Sequence, residues 1–143
     1  MAQRHDVGLT HVALVVSDLD AAIPFYERYA GMRVVHRRGT AEGGVAWLSD
    51  LTRPFVIVLA QGPAREPGLG PFGHLGVACA SRADVDRLAA QAAGEGILRR
   101  EPRDLGPPVG YYALLSDPDG HTLELTFGQE VGLTVVEASM KEE

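Results

Sequence analysis

Residues 10–16, THVALVV, and residues 72–78, FGHLGVA, decide the fold of this chain. Each is a β-prone apolar run that carries one histidine, and each leads into an amphipathic helical pattern, a glycine and further short strand-like runs. A polar side chain at matching places in two repeated segments is not explained by core packing. We therefore interpret the chain as two copies of one βαβββ module, repeated after about 63 residues.

The hydrophobic pattern predicts the elements of both modules within a single domain over residues 1–143. The first module, 8–61, has predicted strands at 9–16, 32–38, 45–49 and 55–60 and a helix at about 20–30. The second module, 72–128, has predicted strands at 72–80, 97–102, 110–115 and 122–127, with a helix that Ser81 caps and that ends at 94–96. Segment 62–71 is a Gly- and Pro-rich linker, and we expect the tail at 129–143 to form an extra strand or a dimer contact.

Composition excludes several classes of protein. A chain of 143 residues with 45% hydrophobic content can bury a core. Its formal charge of -6 argues against a surface for nucleic acid or anionic membranes. The single cysteine, Cys79, excludes an internal disulfide, and we find neither a membrane-length apolar run nor a signal-peptide pattern. The sequence therefore predicts a soluble cytoplasmic protein.

Strand alternation places three polar side chains on corresponding faces. In 122–127, Glu124 alternates with leucines, so it points away from the face that packs on a helix. His11 and His74 have the same parity in their own strands. We expect all three to lie on the non-helix face of one sheet system. Two histidines and a carboxylate form the ligand set of an open divalent-metal site.

The chain resembles the vicinal oxygen chelate superfamily, which groups glyoxalases, bleomycin-resistance proteins and extradiol dioxygenases. The resemblance rests on HVALVVSDLDAAIPFY at 11–26, GHLGVA at 73–78 and DPDGHTLEL at 117–125. It implies an α+β fold in which two βαβββ modules form an open, U-shaped eight-stranded barrel around a metal. Ligands come from the first and last strand of each module, and His11, His74 and Glu124 match three of these four places.

The fourth place falls at Ile57 or Val58, depending on the alignment, and neither side chain binds metal. Gln61 is the nearest donor, one residue beyond the predicted strand. The resemblance implies a glutamate or glutamine there in glyoxalase-type members, so its absence disfavours an isomerase. Three protein ligands leave positions for a bidentate substrate and O₂, which favours dioxygenase-like chemistry on Fe(II), with Mn²⁺, Ni²⁺ or Zn²⁺ as alternatives.

Other functions stay open at this stage. Where extradiol members carry a tyrosine the chain has Leu114, and the loop LGPPVG at 105–110 has no histidine; the phosphonate-binding residues of fosfomycin-resistance enzymes have no clear match either. The alternatives are a metal-free drug- or metabolite-binding protein of the bleomycin-resistance type and a glyoxalase-type lyase or isomerase. Trp47, Val58 and Tyr112 are candidates for the pocket of a small-molecule substrate, and Tyr112 is a catalytic candidate. The resemblance also implies a homodimer, in which His11 from one chain can join His74 and Glu124 of the other.

Overall fold

A computed structural model describes residues 8–40, 42–63, 69–70 and 72–141, so residues 64–68 and 71 of the predicted linker lie outside the described part. Each predicted strand is present, with its ends within two residues of their expected positions. The elements in chain order are β1 His11–Val16, α1 Leu19–Ala30, β2 Arg33–Arg38, β3 Val45–Ser49, β4 Val56–Gln61, β5 His74–Ala78, α2 Arg82–Gly94, β6 Leu98–Asp104, β7 Tyr111–Ser116, β8 Thr122–Phe127 and α3 Val131–Lys141.

The strands form two four-stranded mixed sheets, one from each module, with the orders β1-β4-β3-β2 and β5-β8-β7-β6. The prediction of a single sheet system is therefore wrong. Each module forms its own sheet because its first strand pairs in parallel with its own last strand, His11 beside Val56 and His74 beside Thr122. The α+β class and the open, unclosed barrel are confirmed.

Each sheet packs one face against its own helix. The Asp18 carboxylate accepts from the backbone N–H of Asp20 at 2.9 Å and starts α1, and Gly31 ends it in a left-handed conformation with φ of 62°. The Ser81 hydroxyl accepts from the backbone N–H of Asp84 at 3.1 Å and starts α2, as predicted. The core side chains between helix and sheet include Leu14, Val16, Phe25, Leu48 and Leu59 in the first module and Val85, Ala89, Leu115, Leu123 and Leu125 in the second.

The turn between β7 and β8 joins the two modules. The buried Asp117 carboxylate accepts from the Tyr26 hydroxyl of α1 at 2.7 Å and from the backbone N–H of His121 at 2.8 Å. His121 is itself buried, and its Nε2 donates to the carbonyl oxygen of Val15 in β1 at 2.9 Å. The backbone N–H of Ser17 donates to the Asp119 carboxylate at 2.9 Å. The turn therefore fixes the second module against β1 and α1 of the first.

The tail does not form the extra strand that we considered. Residues 131–141 form α3, every described residue of which is exposed, and residues 142–143 lie outside the described part. The valines favour a strand locally, but apolar residues also recur at helical spacing, which is the pattern that the fold follows. Its large exposed apolar side chains are Val131, Leu133, Val135, Val136 and Met140. No helix within the described ranges is long and apolar enough to cross a membrane.

Candidate metal centre and substrate cavity

His74 and Glu124 lie side by side on the face of the second sheet that α2 does not cover. His74 Nδ1 donates to the carbonyl oxygen of Phe72 at 3.0 Å, which leaves the lone pair of the neutral ring on Nε2. That Nε2 atom is 3.8 Å from Glu124 Oε1. A backbone acceptor on the remote ring nitrogen is the arrangement that orients a metal-binding histidine.

The Glu124 carboxylate is mostly buried and has the His74 ring beside it but no hydrogen-bond donor among the described residues. Only 12% of its side chain is exposed, and within the described residues no group donates a hydrogen bond to it. Gly76 lies directly opposite on β5, where a Cβ atom would come within 3.7 Å of Glu124 Oε2. The missing side chain keeps this oxygen accessible. A carboxylate in this state, next to an oriented imidazole, fits a bound cation.

His11 lies on the first sheet and lines a cavity of about 520 Å³. Its Nδ1 is 2.9 Å from the Thr10 hydroxyl oxygen, so its Nε2 remains for another ligand. Trp47 and Val58, both predicted pocket residues, also line this cavity. The cavity lies on the face of the first sheet that α1 does not cover, and its wall is mainly apolar.

The strand register decides between the two residues that could occupy the fourth ligand place. Glu124 is two residues beyond Thr122, the partner of His74, and Val58 is two residues beyond Val56, the partner of His11. Val58 therefore corresponds to Glu124, whereas Ile57 is buried on the helix side. The Gln61 side-chain oxygen accepts from the backbone N–H of Leu19 at 2.9 Å, at the start of α1.

One chain does not bring the three candidate ligands together. Throughout the described ranges, no group of three or more His, Cys, Asp or Glu side chains is placed to hold a metal ion. His74 and Glu124 form one part of the ligand set on the second sheet, and His11 forms the other on the first. Each part has the predicted orientation away from its helix.

Tyr112 lies with the second part, not with Trp47. It is buried on β7, and its hydroxyl accepts from Arg100 Nη1 at 2.9 Å. Its β8 neighbour is Thr126, two residues beyond Glu124 and on the same face. Within one chain Tyr112 therefore does not line the cavity that Trp47 and Val58 share.

Sequence reasoning did not single out two cationic residues of the cavity, Arg38 and Arg53. Arg38 lies on β2 with its guanidinium carbon 5.7 Å from the centroid of the Trp47 ring. Side-chain alternation along β2 was the signal that could have placed Arg38 on the same face as Trp47. The bulge between Val34 and His36 shifts the pairing of β2 with β3, so alternation alone does not assign that face.

Titratable groups on the helix side have structural roles. Burial, with the Asp117 carboxylate, raises the pKa of the Tyr26 hydroxyl above its ordinary value. Burial and the Glu95 carboxylate raise the pKa of Tyr29 to about 12. Burial also raises the pKa of the Cys79 thiol, so this cysteine stays protonated and behaves as a small packing residue.

Comparison with known proteins agrees with this architecture. The family model described as Glyoxalase/Bleomycin resistance protein/Dioxygenase superfamily matches residues 8–125. An uncharacterized protein of Pseudomonas aeruginosa is 42% identical over 127 residues, covering 87% of this chain and 91% of that protein. A Vibrio cholerae protein named "Probable lactoylglutathione lyase" is 32% identical over 128 residues, covering 82% of this chain and 88% of its own length. The crystal structure of a glyoxylase/bleomycin resistance protein/dioxygenase domain from Frankia superposes with a TM-score of 0.68 at 26% identity, covering 87% of this chain and 94% of that one.

Proposed function

The chain belongs to the Glyoxalase/Bleomycin resistance protein/Dioxygenase superfamily, and on that premise we propose that it is a divalent-metal-dependent enzyme. Its substrate is a small molecule that chelates the metal through two adjacent oxygens. His11, His74 and Glu124 hold the metal. The Trp47 and Val58 side chains form the substrate wall.

The state of Glu124 is the observation that carries this proposal. A nearly buried carboxylate without hydrogen-bond donors among the described residues is destabilising unless a cation balances it. His74 lies 3.8 Å away with Nε2 oriented by the Phe72 carbonyl, so a cation between the two would satisfy both. Because no third ligand lies beside this pair among the described residues, we propose that His11 of a second copy completes the site.

The exposed surface of α3 supports a homodimer. Its five large apolar side chains are exposed in the described part of the chain, while Glu137 and Lys141 are its two charged residues. A helix without net charge adds no repulsion of its own to a contact between two copies of this acidic chain. The sequence suggested a dimer contact for the tail. We propose that α3 forms this contact.

Two reactions fit the site. A bound divalent metal would polarise the substrate oxygens and, as Fe(II), would also activate O₂. A His–His–Glu set with Val58 at the fourth place has no second carboxylate to carry a proton, which favours an oxygenase. The similarity to the Vibrio cholerae protein supports a glyoxalase-type lyase as the second candidate.

Metal content tests the proposal most simply. The full-length protein, loaded anaerobically with Fe(II) and desalted, should bind about one metal ion per chain. Glu124→Gln should lose it, because an amide oxygen replaces the only anionic ligand. Glu101→Gln, an exposed carboxylate on the same sheet, is the matched control and should bind like the wild type. A Glu124→Gln protein with full metal content would contradict the assignment.

Activity then separates the two reactions. O₂ consumption by the Fe(II)-loaded protein across a panel of catechols and α-hydroxyketones identifies an oxygenase. Formation of lactoylglutathione from methylglyoxal and glutathione, with Ni²⁺ or Zn²⁺ bound, identifies a lyase. Tight binding of such compounds by protein that holds no metal would instead support a metal-free binding function.

A further inference from the structure

The cavity on the first sheet has two arginines in its wall: the Asp50 carboxylate interacts with Arg53, whereas Arg38 has no carboxylate partner among the described residues. Its described lining includes Arg38 and Arg53 but no Asp or Glu. The chain as a whole has 19 acidic and 13 basic residues, so a mainly apolar cavity whose described Asp, Glu, Lys and Arg residues are two arginines differs in charge from the rest of the chain. Such a local excess attracts an anion.

Adjacent arginines on β2 have different partners. Arg37 Nη2 is 3.0 Å from the Asp20 carboxylate of α1, so Arg37 reaches the helix side of the sheet. Arg38 points to the opposite face, over the Trp47 ring, and within the described residues it has no carboxylate partner. The aromatic ring holds the Arg38 guanidinium in place, while its N–H donors remain for an oxyanion.

The strand ladder relates Trp47, whose ring lies below the Arg38 guanidinium, to the proposed metal ligand His11. Trp47 on β3 pairs with Val58 on β4, and Val58 pairs with Ala13 on β1. Ala13 is two residues along β1 from His11. Two strand residues span about 7 Å, and the two strand spacings from β1 across β4 to β3 add about 9–10 Å at right angles to that, so the Cα atoms of Trp47 and His11 are roughly 12 Å apart. Val35, Val56 and Val58 line the cavity around this span, and all are apolar.

From this placement we propose that the substrate is a small organic anion, recognised by Arg38. Its chelating oxygens bind at His11, an apolar body stacks on Trp47, and its distal carboxylate or phosphate pairs with Arg38. Arg38 is thus a specificity-determining residue. The inference rests on the proposed function for the position of the metal, but the anion site itself needs no metal.

Trp47 provides the measurement because it is the only tryptophan of the chain. Its fluorescence is titrated in full-length, metal-free protein with phenylacetate, phenyl phosphate and the neutral phenylacetamide, at 150 mM salt. We expect at least one anion to bind about tenfold more tightly than the amide, because a charge-assisted contact forms with Arg38. The two anions separate a carboxylate site from a phosphate site.

Matched variants assign the effect. Arg38→Gln should abolish the preference for the anion, whereas Arg37→Gln, the neighbouring charge on the other face, should retain it. Equal affinity for the anions and the amide would overturn the inference, and so would loss of the preference in Arg53→Gln but not in Arg38→Gln. The titration uses metal-free protein, so it tests the anion site separately from the metal site. If the chain binds metal but shows no preference for the anions over phenylacetamide, only the anion site is refuted. A clear preference in a chain that never binds metal refutes only the proposed function.

Discussion

The two modules share one topology but have opposite linings. The second sheet has polar groups on its open face, with Glu124 beside His74 and the Tyr112 hydroxyl bonded to Arg100. The first sheet has an apolar cavity at the same place, where Val58 occupies the position of Glu124. The difference indicates that the modules are not two equivalent sites. We interpret them as a metal-binding half and a substrate-binding half, which two copies of the chain bring together.

Making the modules alike should produce the largest change. Val58→Glu adds the missing fourth ligand to a half-buried position, so we expect metal affinity to rise roughly 10- to 100-fold. Val56→Glu is the control, because it adds the same charge to the same cavity but two residues before the position that corresponds to Glu124. Competition with a chelator of known affinity measures the effect. If both variants change affinity equally, the register does not define the site.

Much of this comparison was accessible from sequence. Strand alternation oriented His11, His74 and Glu124 correctly, because side-chain parity is a local property of the backbone. The sequence left Ile57 and Val58 open, because choosing between them requires the pairing of β1 with β4, which lies 40 residues along the chain. The single sheet system was wrong for a similar reason. Periodicity predicts strands but does not state which strand pairs with which.

Breaking the contact between the modules should have an intermediate effect. Tyr26→Phe removes the 2.7 Å hydrogen bond to Asp117, and we expect the free energy of unfolding to fall by about 2 kcal/mol, since a buried charged acceptor loses a donor. Urea unfolding at pH 7 measures it. Tyr111→Phe, whose hydroxyl bonds Asp86 on one module only, should have a smaller effect. Equal losses would mean that the inter-module bond has no special role.

The same bond predicts a pH dependence. Burial and Asp117 raise the pKa of Tyr26 above its ordinary value of 10.0, so the folded protein retains a proton that the unfolded chain releases. The stabilisation is therefore complete below pH 10 and is lost as the pH rises beyond it. Wild-type stability should fall more steeply above pH 10 than that of Tyr26→Phe. Parallel pH profiles would contradict this assignment.

A smaller effect tests the space around Glu124. Gly76→Ala puts a methyl group 3.7 Å from Glu124 Oε2, which is an ordinary van der Waals contact. We expect metal affinity to fall, but by less than the roughly tenfold loss that follows removal of a group supporting a metal ligand. The strand itself should gain about 0.5–1 kcal/mol, because alanine is less flexible than glycine. Ala78→Gly, the reverse change further along β5, should weaken the fold without altering metal affinity. Unchanged metal affinity in Gly76→Ala would place the metal away from this oxygen.

Two features were not predicted from the sequence. The tail was expected to form an extra strand or a dimer contact, and the helix that it forms, α3, was not considered, although its apolar positions also fit a helical period. Arg38 was not recognised as a cavity residue, because the bulge in β2 changes the parity that alternation would assign. The position of Arg38 depends on strand pairing that a local pattern does not contain, whereas the tail carried two competing local patterns, β-prone valines and a helical period.

The most direct test of the divided site is complementation between two inactive variants. His11→Ala and Glu124→Ala are coexpressed with different affinity tags, and the heterodimer is purified through both. Each variant alone should bind no metal, whereas the heterodimer should bind about one metal ion, since one of its two sites combines an intact His11 with an intact His74 and Glu124. A heterodimer without metal would contradict the proposal that two chains share the site.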